Sequence, residues 1–417
     1  VTTTTETAGG IQVVKPTVAS HIRDYFARVR GGDLGTLPAV LGLLVLVLIF
    51  GLSRAETFLS ALNFANLFNQ SAQIVFIAMG LVFVLLLGEI DLSAGFASGV
   101  CGAVMAILLT THGLPWYVAI PAAMVTGIVI GLVLGVLVAK LGIPSFVVTL
   151  AAFLGFQGVL LTLLEGGKNI SITDEFVKSL NNGTLSVRDS WLFAIIGVLG
   201  FAAAQLIRWR GRVSRNLVAE PLGIVVARIA GVAVLAFSAT YVLTLERAVN
   251  KAITSLKGTP IVVPLIVVFL VIWTFVLART TYGRHVYAVG GNTEAARRAG
   301  IPVDRIRISV FVICSFMASI GGILVVSRQS SVDPNTGGSN ILLYSVGAAV
   351  IGGTSLFGGK GKVIYAVIGG AVIIVIENGM TLLGLNSGVK FIFTGLVLLA
   401  AASVDALARR RASATGS

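Results

Sequence analysis

FANLFNQSAQIVFIAMGLVFVLLLG (residues 64–88) is followed at once by EIDLSAG (residues 89–95), and the two stretches together decide the fold. From Ile74 to Leu87 every residue is apolar except Gly80. At 1.5 Å of rise per residue the whole 64–88 stretch extends about 37 Å, enough to cross a hydrocarbon core of about 30 Å. Working outward, similar runs lie near 37–52, 93–110, 116–139, 144–164, 190–207, 222–244, 260–278, 308–327, 341–357, 363–384 and 388–405. The chain therefore reads as an all-α, polytopic transmembrane helical bundle of about 12 spans (10–13), with broken or re-entrant segments.

Composition excludes the soluble classes. Apolar residues make up 56% of the 417 and charged ones 11%, against roughly 25% charged in an ordinary soluble domain. Mean hydropathy is +0.98. Cys101 and Cys314 lie far apart in apolar runs, and His21, His112 and His285 are scattered. Neither a metal site, a redox pair nor a bound cofactor is expected.

Charge sets the orientation. With the N-terminus inside, 21 of the 30 basic residues fall on one side, among them Arg23, Arg28, Arg30, Lys140, the Arg208–Arg215 cluster, Arg279–Arg307, Lys360, Lys362 and Arg409–Arg411. Acidic residues split evenly. The excess charge of +13 is thus the positive-inside signature of a membrane protein facing anionic lipid, not a nucleic-acid signal. Residues 1–36 lack the apolar core of a secretory leader and read as a cytoplasmic tail with an unstructured Thr-rich start. Residues 37–405 form the membrane domain, with 406–417 as a basic cytoplasmic tail; both termini are expected inside.

Polar groups inside apolar runs mark what such a bundle does. Glu89, Asp91 and Ser93 sit between Gly88 and Gly95, where glycines let the backbone break. An ordinary boundary turn explains them less well than a broken segment lining a pathway, because a carboxylate at mid-bilayer costs ~2.5–3.5 kcal/mol unless it faces a cavity or a partner. Asn66, Asn69, Gln70 and Gln73 gather four amides on one helical face, directed to protein or water. Glu377 and Asn378 repeat the pattern near the end of the chain, and Gln157 reads as a helix–helix contact. A second glycine-rich break, Gly352–Gly361, matches Gly88–Gly95 at three of eight positions and suggests an internal repeat. It is not a phosphate loop, since no Ser or Thr follows Lys360 or Lys362.

The segment 279–307 holds one short helix. Asn292 or Thr293 caps it, Glu294 suits its first turn, and Ala295, Ala296 and Ala299 offer a close-packing surface. Arg297 and Arg298 suit the last turn, Gly300 ends it and Pro302 blocks continuation. Two turns are unstable alone, so the helix must dock on something.

EIDLS (89–93), YAVGGNTEAARRAGI (287–301) and GGTSLFGGKG (352–361) resemble signature segments of the permease subunits of bacterial monosaccharide ABC importers, the ribose, xylose and galactose group. The resemblance runs from about 37 to 405. It is nearest xylose-type permeases through Glu89 and the extra hairpin at 190–244 with its basic loop. It implies a homodimer in the bacterial inner membrane, a separate cytoplasmic ATPase that binds the ATP, and an extracytoplasmic sugar-binding protein. It also implies that Asn292–Ile301 is the coupling helix inserted into the ATPase. The expected activity is inward transport of a monosaccharide, a pentose such as xylose, by alternating access, with Asn66, Gln70, Glu89, Asp91, Ser93, Glu377 and Asn378 lining or supporting the pathway. The rival is an ion- or proton-coupled transporter using Glu89, Asp91 or Glu377 as a relay. A membrane enzyme would need a nucleophile–base or metal constellation, which the sequence lacks.

Overall fold

The computed structural model describes residues 5–8, 11–14, 23, 35–248 and 255–414. Arg28 and Arg30 of the expected tail, and the last three residues, lie outside the described residues. The Thr-rich start is not wholly irregular: β1 (Thr5–Ala8) pairs antiparallel with β2 (Ile11–Val14).

Each of the twelve apolar runs is a helix. They are α1 (Leu37–Ser53), α3 (Ala61–Leu86) after the single turn α2 (Ala55–Phe58), α4 (Ala94–Thr110), α5 (Trp116–Ala139) and α6 (Ser145–Leu163). After a short α7 (Glu175–Asn182) come α8 (Val187–Val213), α9 (Leu222–Thr244) and α10 (Val262–Arg279). Two short helices, α11 (Thr281–Gly291) and α12 (Thr293–Arg298), lead to α13 (Val303–Gln329), α14 (Ser339–Ile351), α15 (Val363–Leu382) and α16 (Ser387–Ala414). Among the described residues eight helices are long and apolar enough to cross a membrane, while α1, α4, α14 and the apolar part of α16 are shorter. Three boundaries differ from the hydropathy reading. Arg208, Arg210 and Arg212 belong to α8 rather than to a loop, α14 stops at Ile351, and the 279–307 segment holds two helices instead of one.

The chain divides into two compact units. Residues 35–184 and 260–405 form the larger, built around α3 and α13. These run antiparallel and close: a Cβ at Gly80 would stand 2.9 Å from the Cys314 backbone, and one at Gly321 would stand 3.2 Å from Gln73 O. On its other side α13 meets α5, where Gly127, Gly131 and Gly135 recur every fourth residue. A Cβ at Gly131 would approach Phe311 O and Val312 Cα to 2.5 Å, so only glycine permits this backbone contact. α3 packs on α15 in the same way that α13 packs on α5.

α4 and α14 begin inside the bundle. Ser98, in the first turns of α4, lies beside Gly322 and receives the Gln73 amide at 3.4 Å. Gln73 is 13 residues from the end of α3 at Leu86, or about 20 Å along the helix. Residues 87–93 therefore return from the end of α3 to mid-depth as unwound chain. Residues 330–338 do the same from the opposite end and deliver α14, whose thirteen residues span only about 20 Å. The two starts touch: a Cβ at Gly95 would come within 2.6 Å of Gly337 O, and one at Gly99 within 2.1 Å of Thr336 O. Asp91, Ser93, Val332, Thr336 and Gly337 of these segments are buried in protein, while Gly88 and Asn335 are exposed; irregular backbone at membrane depth is tolerated where protein buries it or water reaches it. Several of their polar groups are bonded locally: Asp91 Oδ1 accepts from Ser93 N, Ile90 N donates to Ser145 and Asp333 N donates to Thr336.

Element order and neighbours thus repeat, with opposite sense, in α3–α5 and α13–α15. The repeat inferred from sequence is present but in a different register. Gly88–Ser93 corresponds to residues 330–338, whereas Gly352–Gly361 connects α14 to α15. Three identities between glycine-rich stretches reflected shared turn chemistry rather than equivalent positions.

The smaller unit includes residues 185–259, in which α8 and α9 form an antiparallel hairpin. At its open end Glu246 accepts from Ser255 Oγ at 2.7 Å and from the backbone amides of Leu256 at 2.9 Å and Ala248 at 3.0 Å. Those bonds hold its carboxyl down to about 2. Within the larger unit, Thr184 and Pro260 pair as an antiparallel bridge, so the chain leaves and re-enters that unit at one point.

Candidate pathway and coupling site

Near the start of α3, Asn63 and Asn378 exchange amide hydrogen bonds of 3.0 and 2.9 Å, a closed pair that satisfies two buried side chains. Asn378 also reaches Gln70 Oε1 at 3.5 Å. Glu377 accepts from Tyr344 OH at 3.2 Å and lies 4.0 Å from Lys390 Nζ, which donates to Thr381 at 2.8 Å. Two side chains of the amide face of α3 are interhelical: Gln70 serves α15 and Gln73 serves α4, while Asn69 accepts from Asn181 of α7 through its backbone carbonyl. Asn66 is half-buried on the same helix and takes no part in this network. Gln157, expected at a helix contact, is exposed on α6.

Glu89, Asp91 and Ser93 do not act as one group. Glu89 pairs with Arg307 at 3.1 Å, near the start of α13. Asp91 is fully buried beside Cys314, seven residues and about 10 Å further along α13. Its Oδ1 accepts from both Ser93 N (2.9 Å) and Ser93 Oγ (2.6 Å), which fixes the chain as it enters α4. Of these three residues expected to line or support a pathway, Glu89 forms an ion pair, and Asp91 with Ser93 forms a local brace. Both are built where backbone turns inside the bundle.

The short helix forms as its sequence dictates. Asn292 Oδ1 accepts from Ala295 N at 2.9 Å, Glu294 sits in the first turn 4.0 Å from Arg297, and Ile301 N bonds back to Ala296 O at 3.1 Å. Gly300 adopts φ +81°, the left-handed conformation that stops a helix. Thr293 Oγ1 donates to Val289 O at 3.0 Å and joins α12 to α11. Of the three alanines only Ala296 packs inward; Ala295 and Ala299 are exposed with Glu294, Arg297 and Arg298.

The base of α12 is where the two glycine-rich breaks matter. Gly290, at the end of α11, presses on the end of α3 so tightly that a Cβ would stand 1.8 Å from Leu86 O. Leu86 O already accepts from Gly359 N at 2.9 Å, and Tyr287 OH donates to Gly361 O at 2.8 Å. Gly358 takes φ +84° with Gly290 O and Gly88 N against its Cα. On the other flank Tyr282 shares a 2.8 Å hydrogen bond with Ser309 of α13, and burial pushes its hydroxyl up to about 12. The exposed helix is thus joined through α11 to α3 by bare backbone, to the α14–α15 connection by backbone and the Tyr287 hydroxyl, and to α13 by the Tyr282–Ser309 bond.

A family described as "Branched-chain amino acid transport system / permease component" matches residues 63–402. The chain belongs to this family of transport permeases. The permease is also 33% identical to the xylose transport system permease protein of Escherichia coli over 390 residues, covering 93% of this chain and 95% of that one. Its counterpart in Haemophilus influenzae is 32% identical over 378 residues, 91% and 98% of the two chains. The ribose import permease protein of Escherichia coli is 30% identical over 368 residues, 88% and 92%. No solved structure gives a significant match.

Five residues of the permease escaped the sequence reading. Asn63 lies three positions before Asn66 on the same stripe and was legible in principle. Arg307 was masked by a helix start placed after it. Tyr344, Tyr287 and Lys390 carried no local signal, because each finds its partner across the fold.

Proposed function

We propose that this permease is the membrane subunit of an ATP-driven importer that carries a monosaccharide inward, a pentose such as xylose. ATP is hydrolysed by a separate cytoplasmic ATPase, sugar is delivered by an extracytoplasmic binding protein, and two copies of the chain enclose the pathway. Both termini and α12 face the cytoplasm of the bacterial inner membrane. The observation that carries this reading is α12 itself, a six-residue helix exposed along Glu294, Ala295, Arg298 and Ala299. Such a helix is not stable alone, and its junction with α3 at Leu86 and with α13 at Ser309 is what a coupling element requires.

In the mechanism, closure of the paired ATPases displaces α12. Glycine-on-backbone contacts leave little slack, because a packed interface shifts as a body rather than deforming continuously. The displacement passes to α3 at Leu86 and to α13 at Ser309, and opens the pathway to one side at a time. Asn66, Gln70, Glu377 and Asn378 remain as polar support for that pathway, while Glu89, Asp91 and Ser93 hold the α3–α4 return. The pairing of carboxylates disfavours an ion-coupled carrier. Glu89 is neutralised by Arg307, Glu377 lies beside Tyr344 and Lys390, and Asp91 is engaged by Ser93.

Uptake of radiolabelled xylose into proteoliposomes holding the permease, a sugar-importer ATPase and a binding protein tests this. Transport should require ATP inside the ATPase-facing compartment, survive a protonophore, and vanish when residues 292–299 are deleted. Uptake that needs no ATPase, or that the deletion leaves intact, would overturn it.

A further inference from the structure

At the turn joining α8 to α9, the chain concentrates positive charge in a way that the transport reading does not use. Arg208 and Arg212 lie one helical turn apart near the end of α8, and Arg215 follows just past its C-cap, on the same stripe by helical spacing. Arg210 and Arg228 complete five exposed arginines. One carboxylate answers them, Glu220, and Arg228 already holds it at 3.0 Å. Arg212 is steadied by a 3.1 Å hydrogen bond from Nε to Val218 O, which leaves its terminal nitrogens outward. Trp209 donates to Glu220 O at 3.0 Å and fixes the turn from the inside.

The surroundings are apolar where a water-facing loop would be polar. Ile207 is 72% exposed, Leu217 and Val218 55% each, Leu222 46% and Val213 45%. The hairpin below consists of two spans whose apolar windows are 11% and 6% buried. Arginines ringed by exposed aliphatic side chains, at the end of a largely exposed apolar hairpin, match a molecule that is anionic at one end and apolar along its length. Guanidinium groups bind phosphate bidentately, and basic clusters at span ends select anionic headgroups.

We propose that Arg208, Arg212 and Arg215 form a binding site for the phosphate headgroup of an anionic phospholipid, phosphatidylglycerol or cardiolipin, whose acyl chains lie along the exposed face of α8. The site is independent of the transported substrate. It differs from the general attraction of basic loops to a charged leaflet in being saturable and in resting on named residues.

The test uses the full-length permease in nanodiscs, with bound lipid counted by native mass spectrometry after exchange into mixed phosphatidylcholine and phosphatidylglycerol. Wild type should retain phosphatidylglycerol over phosphatidylcholine, and millimolar glycerol phosphate, which lacks acyl chains, should not displace it. Arg208→Gln with Arg215→Gln should weaken retention by on the order of thirtyfold. Arg208→Lys with Arg215→Lys should keep most of it, and Arg188→Gln at the other end of α8 should leave it unchanged. Retention unaffected by the glutamine pair would overturn the site. So would equal loss in both pairs, the mark of a hairpin that no longer folds, or displacement by glycerol phosphate, the mark of a free-phosphate site.

Discussion

The most apolar windows of α3 and α13, with mean hydropathies of 1.8 and 2.4, are 89% and 72% buried in protein, whereas those of α8 and α9, at 2.0 and 2.2, are 11% and 6% buried. Hydropathy does not separate these pairs. Glycines do. Those of α3 and α13 meet foreign backbone within 2.0–3.2 Å, while Gly197, Gly200, Gly211, Gly223 and Gly231 of the hairpin have nothing within 4 Å. In a membrane, where lipid is as apolar as leucine, close backbone approach and interhelical hydrogen bonds decide which helices form the core. Apolar content decides only that they cross.

The comparison breaks most easily at a single glycine. Gly131→Val on α5 should cost about 3 kcal/mol or more, because neither Phe311 O nor Val312 Cα can yield without moving α13. Gly200→Val on α8 should be close to neutral. Thermal melting and the monodisperse yield in detergent read both, and equal effects would erase the distinction. The next effect is polar. Asn378→Leu leaves Asn63 and Gln70 without their partner and should cost about 1–2 kcal/mol. Combining it with Asn63→Leu should cost less than the sum, which a double-mutant cycle measures.

The smallest effect concerns the open end of the hairpin, which hydrogen bonds to Glu246 hold together. The folded carboxyl titrates at about 2, below its ordinary value of 4.5, so its contribution is fully present above 4.5. That contribution is lost as pH falls from there towards 2. Glu246→Gln should flatten the pH dependence of local amide exchange at Leu256 over that window. An unchanged profile in the variant would assign the stability elsewhere.

Much of this was legible. All twelve apolar runs became helices because span length and hydropathy are local properties, and the cap, acidic first turn and glycine stop of α12 are encoded within ten residues. The half-helices were less so. The 64–88 and 341–357 windows kept their apolar character past the true helix ends, and only Leu86 and Ile351 contacts reveal where unwinding begins. The Asp333–Gly338 return, DPNTGG, carried strong turn chemistry, but its equivalence to Gly88–Ser93 depends on Gly95 meeting Gly337 across the fold. The partner of Glu89 was hidden for the same reason: Arg307 lies 218 positions away, and no spacing rule reaches that far.

The central claim is that α12 drives the bundle through the junction at Gly290. Gly290→Ala places a methyl group against Leu86 O without touching the exposed face that would meet an ATPase. In proteoliposomes with ATPase and binding protein, the variant should keep the ATPase bound and hydrolysing while sugar uptake per ATP falls by about tenfold, a loss of ~1.4 kcal/mol in coupling. Wild-type uptake per ATP in that variant, with the protein shown to be folded, would contradict the account.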